Sequence, residues 1–153
     1  MKVILLTGRP NTGKTRTLKN LYKKLTGKDL DESASVQDPE KRINDDRIIV
    51  GKDILLPTTC LDSSDDWECF IEWRGKKVGI VTMGDYPTRI IWHLGLYTGR
   101  GADILVIADS MTALPYSIIN RQRIEYYQIK KTSIQETGIE DIIIKKMEFM
   151  LFL

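Results

Sequence analysis

The sequence predicts a three-layer α/β domain: a mostly parallel sheet with one antiparallel hairpin over about residues 66–84, and flanking helices. Three observations carry that expectation. At the amino terminus an apolar run leads into a glycine-rich turn and then an amphipathic stretch. Further on, two β-rich runs flank Arg74 and Gly75. A second apolar run, Ala102 to Ala108, follows the hairpin across a helical pattern, and such alternation favours crossover connections and parallel pairing. The 153 residues are enough for one domain with a sizeable core, so 1–153 is read as a single unit.

The elements follow in order. Lys2 to Thr7 is almost unbroken in apolar and β-branched residues, as a strand buried on both faces requires. Leu18, Leu21, Tyr22 and Leu25 recur at the spacing of one helix face, and Gly27 is placed to end that helix. Residues 28–47 are polar, acidic and nearly free of apolar side chains; they cannot bury themselves, which predicts a mobile loop. Short strands are expected at 47–50 and 54–56, the second stopped by Pro57. Trp67 to Trp73 and Lys77 to Met83 form the hairpin. Ile90, Ile91, Leu94 and Tyr97 then share a helical face, with Gly99 as a stop. The strand from Ala102 ends in Asp109; a short helix is expected over 116–123 and a further strand over 126–132. The segment from Gly138 to Leu153 reads as a last helix with a broad stripe of Ile139, Ile143, Met147 and Met150, and with Ile142, Phe149 and Leu153 beside it.

Composition narrows the function classes. A net charge of +2 gives no strong basic field, so nucleic acid is not indicated as a partner. Cys60 and Cys69 are the only cysteines and His93 the only histidine, which argues against a disulfide framework or a metal cluster and for free thiols in the cytoplasm. The run after Lys2 is too short for a signal peptide, and no stretch is long enough to span a membrane. The apolar end of the last helix is expected to be buried against the sheet or against a second copy in a homo-oligomer.

The stretch from Gly8 to Thr15, Gly-Arg-Pro-Asn-Thr-Gly-Lys-Thr, carries the chemistry. Successive backbone N–H groups, joined to the positive end of the following helix, make an anion hole. Gly8 and Gly13 allow turns that a side chain would forbid. Pro10 has no N–H, so the useful donors start at Asn11. Set between a strand and a helix, this stretch resembles the P-loop NTPase superfamily, over the first 27 residues in particular. The resemblance implies a magnesium ion with ATP as the bound cofactor, GTP remaining open. It implies Gly8, Asn11, Thr12, Gly13, Lys14, Thr15 and Arg16 as the nucleotide-binding set. Lys14 would reach the terminal phosphates, and Thr15 would offer its hydroxyl to the metal.

An acidic residue at the carboxyl end of an apolar strand is the expected second metal ligand. Asp85 after the hairpin is favoured, and Asp109 is its rival. Asp85 also suits an N-cap, with Pro87 in the first turn. Arg121 and Arg123 are the candidates for cations over a transferred phosphoryl group, which makes Lys14, Asp85, Arg121 and Arg123 the catalytic set. His93 reads as packing rather than catalysis.

Three functions follow: phosphoryl transfer of the small kinase kind, a hydrolase or switch, and a passive nucleotide-binding module. The order of elements resembles the layout of small GTPases. However, Gly84 precedes Asp85 where those proteins have Asp-x-x-Gly, and Ile129 to Thr132 lacks the guanine-reading Asn-Lys-x-Asp. The kinase-like reading therefore leads, with the second substrate or protein partner unassigned.

Overall fold

The computed structural model describes residues 1–9, 12–27, 68–82, 87–109 and 119–151. In chain order the elements are β1 (Lys2–Thr7), α1 (Lys14–Thr26), β2 (Glu68–Trp73), β3 (Lys76–Val81), α2 (Pro87–Gly99), β4 (Ile104–Asp109), β5 (Tyr126–Lys130) and α3 (Ile139–Leu151). The acidic segment 28–47, the strand candidates at 47–50 and 54–56, Cys60 and Leu153 lie outside the described residues. No helix among the described residues is long and apolar enough to cross a membrane.

The five strands form one mixed sheet in the order β2-β3-β4-β1-β5. β1 is central and parallel to both neighbours, in register from Lys2 with Ile104 to Thr7 with Asp109, and from Val3 with Tyr126 to Thr7 with Lys130. That position explains its sequence: Val3 to Leu6 are fully buried, with apolar neighbours above and below. β3 runs parallel to β4, and only β2 is antiparallel. Arg74 and Gly75 join β2 to β3 with φ of 50° and 74°, the two positive values of the tight turn whose twist matches a hairpin.

The connections fix the layers. The chain leaves β1 for β3 across one strand, then returns from β3 to β4 in the opposite direction. Right-handed crossovers put α1 and α2 on opposite faces. α3 lies beside α1, where Lys24 pairs with Asp141 at 2.8 Å and Asn20 meets Glu140 at 3.4 Å. These exposed pairs set alignment more than stability. Gly27 ends α1 in the left-handed region, donating its N–H to the Lys23 carbonyl oxygen.

One sequence expectation needs correction. The stripe on α3 is narrower than its composition suggests. Ile139, Ile143, Met147 and Met150 are buried, but Ile142 is 49% and Phe149 53% exposed. One helix face fits against the sheet and α1, and residues outside that arc stay in water. Of the helix expected over 116–123, residues 119–121 are helical and 116–118 lie outside the described residues.

α2 holds a polar cluster inside the apolar layer. His93 is fully buried, its Nδ1 3.5 Å from Glu68 Oε2. The Tyr97 hydroxyl donates to the same oxygen at 3.0 Å, and its ring meets Phe70 edge-on at 5.6 Å. The Tyr97 ring also fills the space above Gly79. A Cβ there would lie 2.5 Å from Tyr97 Cε1 and 3.1 Å from Leu105 Cδ1.

Gly79→Ala should therefore cost about 1–3 kcal/mol, read as a lower urea midpoint. In a Tyr97→Leu background the same change should cost much less, because its collision partner is gone. Burial, and next the charge of Glu68, hold the Tyr97 hydroxyl well above the ordinary phenol range, with Arg100 opposing. The unfolded chain loses this proton near pH ~10 while the folded chain keeps it, so the stabilisation is complete below that pH and declines above it. Between about pH 9 and pH 11 the urea midpoint should fall more steeply for the wild type than for Tyr97→Phe. Parallel slopes would show that Tyr97 is not the group responsible.

Candidate functional site

The buried polar side chains are unevenly distributed. Among the described residues they are Thr7, Thr12, Lys14, Thr17, Glu68, Thr82, His93, Asp109 and Lys131. Thr7 and Asp109 end β1 and β4, and Thr82 follows β3. Glu68 is paired with Val81 at the end of β3, and His93 stands beside Glu68. Thr12, Lys14 and Thr17 belong to the turn after β1 and the start of α1, and Lys131 follows β5. All of them gather at the carboxyl end of the sheet. Burying polar groups costs free energy unless they are satisfied, so their collection at one end marks a built site.

Topology selects the centre of that end. The chain departs from β1 towards β3 and from β4 towards β5, in opposite directions across the sheet. The crevice between β1 and β4 is the switch point, where open α/β sheets bind ligands. Thr7 and Asp109 face each other there in register, and the Gly8 N–H donates to the Asp109 carbonyl oxygen at 3.2 Å.

The glycine turn rises from this crevice. Gly13 takes a left-handed conformation, φ 82° and ψ 23°, at the N-cap of α1. It has no side chain to cap the helix, and the first turn contains no acidic residue. The first intrahelical bond runs from the Thr17 N–H to the Gly13 carbonyl oxygen at 3.0 Å. The N–H groups before it have no acceptor within the helix, and the first turn itself supplies no acid to the positive end of the helix dipole. Lys14 is 8% exposed and lies back across the turn, its ammonium donating to the carbonyl oxygens of Gly8 at 2.7 Å and Arg9 at 3.1 Å. Thr12 Oγ1 donates to the Arg9 carbonyl oxygen at 2.9 Å. Thr15 is half-buried, and Arg16 is exposed. Asn11 lies outside the described residues.

A second segment walls the turn. The Lys131 N–H donates to the Thr7 carbonyl oxygen at 2.8 Å, extending the β1–β5 ladder. A Cβ on Gly8 would lie 2.5 Å from the Lys131 carbonyl oxygen, and one on Gly13 3.3 Å from Lys131 Cε. The Lys131 ammonium donates to the Glu136 carbonyl oxygen at 2.8 Å. Glu136 Oε2 accepts from both the N–H and the hydroxyl of Thr132, and these hydrogen bonds hold its carboxyl below the usual range. Sequence reading missed Lys131. Its signal was a charged residue directly after an apolar strand, the same signal that marked Asp109.

The remaining sequence candidates divide. Asp109 is fully buried at the switch point, whereas Asp85 lies outside the described residues. Arg121 and Arg123 are exposed and are not brought to the glycine turn. They precede β5, whose start is tied to the start of β1 through the Glu125 carbonyl oxygen and the Val3 N–H. In a parallel pair the residues before a strand sit at its amino end. The four residue steps from Val3 to Thr7 put that end about 13 Å below the turn.

Among the described residues no group of three or more His, Cys, Asp or Glu side chains could hold a metal ion. Magnesium on a nucleotide does not need such a cage, since it keeps waters and phosphate oxygens and takes one or two protein ligands. By chemistry alone, the Thr15 hydroxyl and the Asp109 carboxylate are oxygen groups of the kind such an ion takes. Comparisons with family models, with curated proteins and with solved structures find no match to this chain.

Proposed function

We propose that this chain binds a nucleoside triphosphate with magnesium, ATP first, in the turn from Gly8 to Thr15, and uses it for phosphoryl transfer. The observation that supports this most is Lys14. Its buried ammonium lies back across the glycine turn on the carbonyl oxygens of Gly8 and Arg9, and an entering phosphate would offer it a charge-assisted hydrogen bond. The N–H groups of the first turn of α1 point the same way.

Residue roles follow from position. The N–H groups from Gly13 to Arg16 would hold the phosphates. Lys14 would swing from its two carbonyls to the terminal phosphates. Thr15 and Asp109 would be the protein ligands of the magnesium ion, which when bound would offset phosphate charge. Asp85 keeps its sequence-based claim to the same role. Yet β4 lies between β1 and β3, so the end of β3 stands two strands, about 10 Å, from β1. Arg121 and Arg123 have no part in this scheme. Arg9 and Arg16 are exposed at the turn and are better placed to meet a transferred phosphoryl group.

Melting of the protein with and without magnesium–ATP tests the assignment. A ligand at about 100 times its Kd raises stability by roughly 2.7 kcal/mol, a clear shift in Tm. Lys14→Ala should lose that shift while its melting without nucleotide stays cooperative. A full shift in the variant would overturn the assignment, and product analysis then separates transfer from hydrolysis and from binding alone. Asp109→Asn should weaken magnesium–ATP binding at least tenfold more than metal-free ATP binding, with Asp85→Asn affecting both equally. The reverse pattern would give the metal to Asp85.

A further inference from the structure

The amino end of the sheet, opposite the glycine turn, gathers positive charge. Lys76 and Lys77 begin β3, Lys2 begins β1, and Arg121 and Arg123 stand just before β5. From β3 to β5 is three strand spacings, about 14 Å. The net charge of +2 hides this, because acids predominate between residues 28 and 67. The described residues hold about twice as many Lys and Arg as Asp and Glu.

The acids at this end are taken up by the fold. Glu125 meets Lys2 Nζ at 3.7 Å and accepts from the Tyr127 hydroxyl at 3.1 Å. Glu148 meets Arg74 Nη1 at 3.1 Å, and Asp103 accepts the Lys77 N–H at 2.8 Å. Glu72 stands across from Lys77 in the β2–β3 ladder. Lys76, Arg121 and Arg123 are exposed and have no acidic partner among the described residues.

The backbone singles out one of these cations. Among the described residues Arg74 and Arg123 are the non-glycine positions of positive φ, 50° and 56°, and both lie at this end. Arg123 takes the left-handed place after the helical turn at 119–121. Its N–H donates to the Asn120 carbonyl oxygen at 3.2 Å, and the Ile124 N–H to that of Ile119 at 3.0 Å. Glycine suits this helix-ending position, and a side chain there is strained. Arg74 is accounted for within the fold, since its guanidinium lies 4.6 Å from the Trp73 ring centroid and pairs with Glu148. Arg123 has no such contact among the described residues. A strained backbone that presents an exposed cation points to something the cation meets.

α3 brings aromatic surface to the same end. Its last turn is fastened at two points: Glu148 to Arg74 of the hairpin, and the Met150 carbonyl oxygen to Lys2 Nζ at 2.7 Å. Phe149 lies between them in sequence and is half exposed. Lys146, one turn earlier, puts its ammonium 4.4 Å from the Tyr127 ring centroid and 5.8 Å from that of Phe149. An exposed ring among spaced cations suits a chain that alternates flat groups with negative charges. A membrane surface would ask for a broad apolar face, whereas Phe149 stands among charges.

We infer that the amino end of the sheet is a binding surface for single-stranded nucleic acid, with Lys76, Arg121 and Arg123 on phosphates and Phe149 stacked on a base. The surface lies at the opposite end of the sheet from the glycine turn and does not depend on what that turn binds.

Fluorescence anisotropy of a labelled oligo-dT of about 20 nucleotides, titrated with the full chain, tests this. Three phosphate contacts give a slope of about −2 in log affinity against log salt. Arg123→Gly should weaken binding at least about threefold at low salt and flatten the slope by about 0.7. The same change should raise the urea midpoint, because glycine relieves the strained position, so lost binding would not reflect lost folding. Arg123→Lys should keep most of the affinity. Phe149→Ala should weaken binding about tenfold and leave the slope unchanged. Lys130→Ala, which removes an exposed charge at the carboxyl end of β5, should change nothing. Equal losses in Lys130→Ala and Arg123→Gly would reduce the attraction to diffuse charge and overturn the site. Full binding by Phe149→Ala, or tighter binding of a duplex of the same length, would overturn recognition of a single strand. Loss of binding in Lys14→Ala would move the oligonucleotide to the glycine turn and overturn the surface, as would wild-type protein that does not bind it at low salt.

Discussion

The backbone at Gly8 is held from both sides. Its N–H donates to the carbonyl oxygen of Asp109 on β4, and the position a side chain would take is filled by the carbonyl oxygen of Lys131 after β5. Three parallel strands converge on this residue, and it belongs to the middle one. Any Cβ would push β5 away from β1 or turn the loop out of the crevice. The direction of the loop, the start of α1 and the place of Lys14 all depend on that close approach. Gly13 repeats the device one turn later, with a positive φ and the Lys131 stem against it. The two glycines make a narrow passage that admits backbone only, and backbone N–H groups are what an anion hole consists of.

This arrangement concentrates electrostatic cost in one place. Lys14 and Lys131 are both buried, and both ammonium groups donate to backbone carbonyl oxygens. Two cationic side chains therefore lie close to the start of α1. A fold that needed only stability would be better served by apolar residues there.

The outer part of the sheet meets a different demand. Glu68 is buried near the edge, and the nearest described groups on α2 are the His93 ring and the Tyr97 hydroxyl. The hydroxyl donates a hydrogen bond, and its proton is retained because burial penalises the phenolate and ionisation would also put a second negative charge beside the carboxylate. The same tyrosine seals the gap over Gly79 and meets Phe70. One side chain therefore fills volume, satisfies an acid and ties α2 to the hairpin.

Local pattern was enough for most elements. The period-2 and period-3.6 spacings, Gly27 as a helix stop and Arg74-Gly75 as a tight turn are short-range properties of neighbouring residues, and the described elements fall where those patterns put them. The Gly8–Thr15 turn was legible for the same reason, since strand, glycine turn and helix adjoin in the chain. What depends on distant parts of the chain was not legible. Arg121 and Arg123 follow Asp109 in sequence yet stand at the amino end of β5, because a parallel strand must be entered from the far side of the sheet. Ile142 and Phe149 look like core residues in a list of apolar positions, but a helix lying against one neighbour covers only one arc. Lys131 becomes part of the site only because β5 pairs with β1 across more than a hundred residues. Sequence alone determined which residues can form a strand, a helix or a glycine turn, because those choices rest on local sterics and spacing. The sheet order decided which of them share one end of the molecule, because strand order and direction are set by burying the whole core at once.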